Sequence, residues 1–123
     1  MNSHLVEKVS IAIPIFNEER NIPALLSRLM PVMDAMGCEY EVLFVDDGSR
    51  DGSLGLLKAA AVQFAKRVRV IELSRNFGQH PALLAAFRHV SGAYTITLDA
   101  DLQNPPEEIP KILEKPPPKS LTA

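Results

Sequence analysis

The sequence predicts an α/β domain built on a mostly parallel sheet. Two observations carry that expectation. Short β-branched runs alternate four times with stretches of helical apolar spacing, and each run ends in a polar loop. Parallel strands joined by right-handed helical crossovers are the ordinary outcome of such alternation.

Residues 9–15, VSIAIPI, form the first expected strand. Residues 21–36 follow as a helix, with Ile22, Leu25, Leu26, Leu29 and Met33 on one face. Asn21 is expected to cap it, Pro23 suits its first turn and Gly37 its end, while Pro31 should kink or split it. Residues 41–45 are the second strand, running into Asp46-Asp47-Gly48. Residues 53–64 are the second helix, with Leu54, Leu57, Ala61 and Phe64 on one face. The third strand spans 68–73 and the third helix 81–90, which Gly92 stops. The fourth strand, 94–98, leads into Asp99-Ala100-Asp101. Asn104 is expected to cap a short last helix opened by Pro105 and Pro106, with Glu107 and Glu108 near its N-terminus.

The 123 residues divide into an arm at 1–8, one domain at 9–113 and a Pro-rich tail at 114–123 that is expected to be disordered. Six of the ten prolines lie between 105 and 118, and a helix pattern runs straight into Pro116-Pro117-Pro118. A frameshift or truncation would leave such a junction. With 46% apolar and 23% charged residues the composition excludes wholesale disorder. A net charge of −2, with both signs interspersed, argues against a nucleic-acid partner held by a basic face. The single cysteine, Cys38, cannot form an internal disulfide or a cysteine-rich zinc site and reads as a buried thiol. No apolar run approaches the roughly 20 residues of a membrane helix, and residues 1–8 lack a signal peptide's apolar stretch. The chain is thus expected to be cytoplasmic or peripheral. Its fourth strand, left as an apolar edge at Ile96 and Leu98, is expected to invite self-association.

In parallel α/β sheets ligands bind outside the carboxyl ends of the strands. Three of the four loops there carry carboxylates. Like charges gathered on one rim repel unless a cation or a hydrogen-bonding ligand offsets them. Asp99 and Asp101, at i and i+2 past a strand, can both reach one hard cation, and Gln103 adds a neutral oxygen. Mg²⁺ or Mn²⁺ takes such ligands and shares its remaining sites with water and phosphate, so it would hold a diphosphate and stabilise it as a leaving group. The alternative is that Asp99 caps a turn and Asp101 is solvated. Asp46 and Asp47, acceptors when ionised, could receive a base N–H or ribose hydroxyls, whereas Asp51 fits a helix cap. Arg75 suits a diphosphate, His80 fits a cap or a ligand equally, and His89 fits a helix C-terminus. No Gly-x-Gly-x-x-Gly loop, Walker-A lysine or Gly-x-Ser-x-Gly elbow occurs. An Asp-x-Asp phosphatase would carry its motif after the first strand, and here it follows the fourth.

Four ordered strings resemble family 2 glycosyltransferases of the polyprenyl-phosphate branch: Ile13-Pro-Ile-Phe-Asn-Glu18, Val45-Asp-Asp-Gly-Ser49, Ser74-Arg-Asn-Phe-Gly-Gln-His80 and the run from Leu98 to Pro110. Within the branch, the Gln79-His80 and Gln103-Asn104-Pro105 wording is most similar to transferases of a 4-deoxy-4-formamido-L-arabinose unit. The resemblance implies the N-terminal half of a GT-A fold with strand order 3-2-1-4. It implies a UDP-linked nucleotide-sugar donor, a Mg²⁺ or Mn²⁺ cofactor, and transfer with inversion to a polyprenyl (undecaprenyl) phosphate at the cytoplasmic face of the bacterial inner membrane, in lipid A modification. By motif position, Pro14, Phe16, Glu18, Val45, Asp46 and Asp47 would surround the nucleotide. Asp99, Ala100 and Asp101 would bind the diphosphate sugar, and Asp99, Asp101 and Gln103 the metal. Phe16 stands where the family often has Tyr, which keeps base stacking and loses a hydroxyl contact. The family continues well past Leu113 with an acceptor-binding half, so this chain is expected to hold only the donor-binding part. A non-catalytic nucleotide-sugar-binding remnant is the alternative, and a metal-dependent phosphatase a weaker one.

Overall fold

A computed structural model describes residues 7–114. In chain order it contains β1 (Val9–Ile15), α1 (Ile22–Ala35), β2 (Tyr40–Asp46), α2 (Ser53–Gln63), β3 (Val68–Glu72), α3 (Gln79–Phe87), β4 (Tyr94–Thr97), a 3₁₀ turn (Pro106–Glu108) and α4 (Ile109–Glu114). Among the described residues the four strands form one parallel sheet in the predicted order β3-β2-β1-β4. The register sets Ile15 beside Asp46 and Asp46 beside Glu72, so all four strands open toward the same rim.

Alternation along the strands sorts side chains between two unequal faces. Ile11, Ile13, Ile15, Val42 and Phe44 face the larger core, where they meet Ile22, Leu25, Leu29 and Met33 of α1, Leu57 of α2 and Ile109 of α4. Ala12 and Val45 face the opposite way and meet Ala82 and Ala86 of α3. Burial on both faces is why β1 and β2 read as continuous apolar runs. Arg28 anchors the 3₁₀ turn to α1 through a two-pronged contact with Glu107, at 2.7 and 3.0 Å.

Several local expectations are corrected. Helix α1 runs unbroken through Pro31. Pro31 and Ser27 are both exposed, so water can satisfy the carbonyl that the proline leaves without a donor. Asn21 occupies the cap position of α1, but its side chain makes no capping bond and instead donates to Glu18 Oε1 at 2.7 Å. Asn104 does not cap either, because Pro105 holds the position before the 3₁₀ turn. In α2 the buried residues are Ser53, Leu57 and Ala60, with Leu54, Ala61 and Phe64 only partly covered. Helix α3 begins two residues early, at Gln79, and ends at Phe87. Gly37 does follow α1 in the left-handed region, at φ +73°.

Strand β4 is a sheet edge, yet Ile96 and Leu98 are buried. Cys38 is half-buried against the core, and burial pushes its thiol pKa up. Helix α4 extends to Glu114, the first residue of the expected tail; the rest of that tail and residues 1–6 of the arm lie outside the described residues. No helix among the described residues is long and apolar enough to cross a membrane.

Candidate functional site

The loops after the four strands enclose a cleft of about 330 Å³ on the shared rim. Its walls are Pro14 and Ile15 at the end of β1, Phe16 and Glu18 after it, Asp47 after β2, Asn76, Gly78 and Gln79 after β3, and Asp99, Ala100 and Asp101 after β4. Of the residues singled out in the sequence, the fold thus brings together Pro14, Phe16, Glu18, Asp47, Asp99, Ala100 and Asp101. Phe16, on the wall, is 42% exposed.

Val45, Asp46 and Gln103 are not on the cleft wall. The Val45 side chain is buried against α3, because the strand's alternation turns it to that face. Asp46 is buried; its Oδ2 accepts from the Ser49 N–H at 3.3 Å, while Oδ1 has no partner among the described residues. Gln103 is exposed, and its backbone N–H donates to Asp101 Oδ1 at 3.1 Å.

The loops are interlocked by hydrogen bonds between segments distant in sequence. Asn17, at φ +53°, donates its N–H to Ser49 Oγ at 2.9 Å and accepts from the Arg50 N–H at 2.8 Å. The Glu18 N–H donates to the buried Ser53 Oγ at 2.8 Å. Asp51 accepts from the Ser53 N–H at 2.9 Å and the Glu19 N–H at 3.3 Å. Burial opposes its ionisation, but these bonds outweigh that and hold its pKa below the ordinary carboxylate value. Asp51 is expected as the cap of α2, but Gly52 holds that position without a side-chain bond; Asp51, one residue earlier, instead ties the start of α2 to the Glu19 backbone. Gly48, at φ +74°, lies so close to the next loop that a Cβ there would sit 2.4 Å from Arg75 C and Asn76 N. Asp47 accepts from the Phe77 N–H at 2.8 Å, the Gly78 N–H at 3.0 Å and Asn76 Nδ2 at 3.1 Å.

Asp99 and Asp101 are less encumbered. Among the described residues Asp99 receives only Gln79 Nε2, at 3.4 Å, and Asp101 only the Gln103 N–H. Leu102, next in the chain, sits at φ +66°, a costly conformation for a leucine that its packing against the core sustains. The tight turn returns the chain to the core just after the two acids. No group of three or more His, Cys, Asp or Glu among the described residues could hold a metal ion. Two carboxylates with free lone pairs nevertheless fit a hard divalent cation that completes its shell with water and ligand oxygens. Gly78 and Gln79 open α3, so the positive end of that helix also faces the cleft.

Asn76, Gly78 and Gln79 were assigned no role from the sequence, which favoured Arg75 and His80 in the same string. Arg75 stacks 4.6 Å over the Phe77 ring, and neither Arg75 nor His80 is on the wall. His89 does meet a helix end, its Nδ1 lying 2.9 Å from the Ala85 carbonyl.

Glycosyl transferase family 2 matches residues 10–115. The chain belongs to that family. It is 53% identical over 110 residues to an undecaprenyl-phosphate 4-deoxy-4-formamido-L-arabinose transferase of Shewanella sediminis, covering 89% of this chain and 33% of that protein. An Aeromonas hydrophila protein of the same name is 52% identical over 115 residues, covering 93% of this chain and 35% of its own length. The chain thus spans about a third of the curated relatives it matches. Among solved structures, a Pyrobaculum calidifontis mannosyltransferase in complex with GDP-Man and Mn²⁺ superposes with a TM-score of 0.68 at 25% identity, over 83% of this chain and 30% of its own. The α/β sheet of this chain is accordingly of the GT-A type.

Proposed function

We propose that this chain forms the donor- and metal-binding part of a glycosyltransferase that moves a sugar from a UDP-linked donor to a polyprenyl phosphate, with inversion at the anomeric carbon. The undecaprenyl phosphate acceptor and formamido-arabinose sugar are those in the names of its relatives. One observation carries the reading: Glu18, Asp47, Asp99 and Asp101, from three separate loops, converge on one cleft at the carboxyl rim.

Phe16 offers a ring face for a base, and Pro14 and Glu18 line the wall beside it. Asp99 and Asp101 would hold Mg²⁺ or Mn²⁺, with Gln103 fixing Asp101 through its N–H. A bound cation of this kind neutralises the departing nucleoside diphosphate. The α3 N-terminus adds a favourable partial charge on the same side. A phosphate acceptor is already an anion at neutral pH, so the protein's work is alignment and leaving-group stabilisation more than proton removal.

Calorimetry with UDP and a UDP-sugar, with and without Mn²⁺, tests the binding, and radiolabelled transfer to undecaprenyl phosphate tests the chemistry. Metal-dependent binding is expected. Metal-independent binding that Asp101→Ala leaves unchanged would sink the assignment.

A further inference from the structure

We infer that Asp47 is a positioning residue that locks the Asn76–Gly78 segment to the end of β2, and so sets where Gln79 stands against Asp99. Asp47 is 2% exposed, and its carboxylate receives three donors, all from one short stretch of the following loop. A carboxylate offers about four acceptor sites, so at most one remains for any ligand. Asn76 uses its amide on both the Asp47 carboxylate and the Asp47 carbonyl, each at 3.1 Å. The backbones are pressed together beside it, since Gly48 leaves no room for a side chain against Arg75 and Asn76. Directly after the locked stretch comes Gln79, whose amide reaches Asp99 Oδ1. A loosened lock would displace the wall that faces the metal-binding acids without removing any of them.

The ligand arms of the test rest on the nucleotide-sugar reading; the hydrogen-exchange arm does not. Amide exchange on the 123-residue chain without ligand should show Phe77 and Gly78 protected. Asp47→Asn and Asn76→Ala should each speed their exchange at least tenfold, and unchanged protection in both would overturn the proposal. With UDP and Mn²⁺, both variants should lose affinity by similar factors. The double variant should be no weaker than Asp47→Asn alone, and the preference for UDP over GDP should stay as in the wild type. The Mn²⁺ electron paramagnetic spectrum of the UDP complex should change in Asn76→Ala, which a remote packing defect would not cause. Wild-type UDP affinity in Asn76→Ala beside a large loss or an altered base preference in Asp47→Asn would show direct base reading and refute the lock. Should Asp47→Asn fail to fold, Asn76→Ala decides through exchange and the Mn²⁺ spectrum, because Asn76 is exposed. Failure of the wild type to bind UDP would count against the proposed function while leaving the exchange result standing.

Discussion

The buried acid at the amino end of the sheet and the Asp99/Asp101 pair past its carboxyl end, one half-buried and one exposed, are treated in opposite ways. At the amino end, Glu41 of β2 is 3% exposed and surrounded by donors. Its Oε2 accepts from Ser10 Oγ at 2.6 Å, the Ser91 N–H at 2.7 Å and Ser91 Oγ at 3.1 Å, and its Oε1 meets Arg69 Nη1 at 3.1 Å and Lys8 Nζ at 3.9 Å. Ser10 relays the cluster to Gly92, whose N–H donates to Ser10 Oγ at 2.9 Å. At the carboxyl end, Asp99 and Asp101 have one donor each from the described residues. A saturated carboxylate serves the fold, whereas one left with open lone pairs in a cleft is available to a ligand.

The largest expected effect separates two glycines, one at each end. Gly48→Ala meets both a left-handed φ and backbone atoms at 2.4 Å. It should cost at least about 3 kcal/mol in urea unfolding. Gly92→Ala meets Ser10 Oγ at 2.7 Å and backbone at 2.8 Å, with no left-handed φ. Its cost should be nearer about 1–3 kcal/mol. Equal losses would mean that backbone conformation contributes nothing at Gly48.

Glu41→Ala should come next. It strands the Ser91 N–H and leaves Arg69 without its carboxylate, a loss of about 2–3 kcal/mol by the same measurement. Metal and UDP binding should survive in the folded fraction. Burial pushes the Glu41 pKa up, but the Ser10 and Ser91 bonds and the Lys8 charge outweigh it, leaving the net value below 4.5. A carboxylate with a depressed folded pKa contributes stability above its unfolded pKa and loses that contribution as pH falls through the folded one. Stability should therefore drop below about pH 4.5 in the wild type, and less steeply in Glu41→Gln. Parallel acid melts would sink the structural role of Glu41.

Asp101→Ala should do the reverse. Affinity for UDP·Mn²⁺ should fall about ten- to a hundredfold, equivalent to roughly 1.5–3 kcal/mol. Unfolding should shift by no more than about 0.5 kcal/mol, since the residue is exposed. The smallest change is expected for Asp51→Ala, which loses two backbone contacts at the loop interlock. About 1 kcal/mol or less of stability should go, without a change in metal dependence; reduced Mn²⁺ affinity in that variant would move Asp51 into the site.

Much of this was legible in the amino acids because it depends on local period. The β-branched runs and the helical apolar spacing predict the parallel strands, the shared rim and the loops that meet there, while the strand order follows from the family resemblance. The misread points share a cause. Asn21 and Asn104 were assigned as caps from position alone, but Glu18 claims the first and Pro105 displaces the second. Glu41 had only a faint signal, an acid opening an otherwise apolar strand.

The sequence alone determined where carboxylates would gather, since alternating periods force a parallel sheet whose loops share a rim. Tertiary structure alone decided which acids, on that rim and at the opposite end of the sheet, are consumed. Glu41 takes its donor from Ser91, 50 residues on, and Asp47 from Phe77, 30 residues on. Such donors satisfy an acid only after the chain has folded back on itself, so no local pattern distinguishes the saturated carboxylates from the open ones.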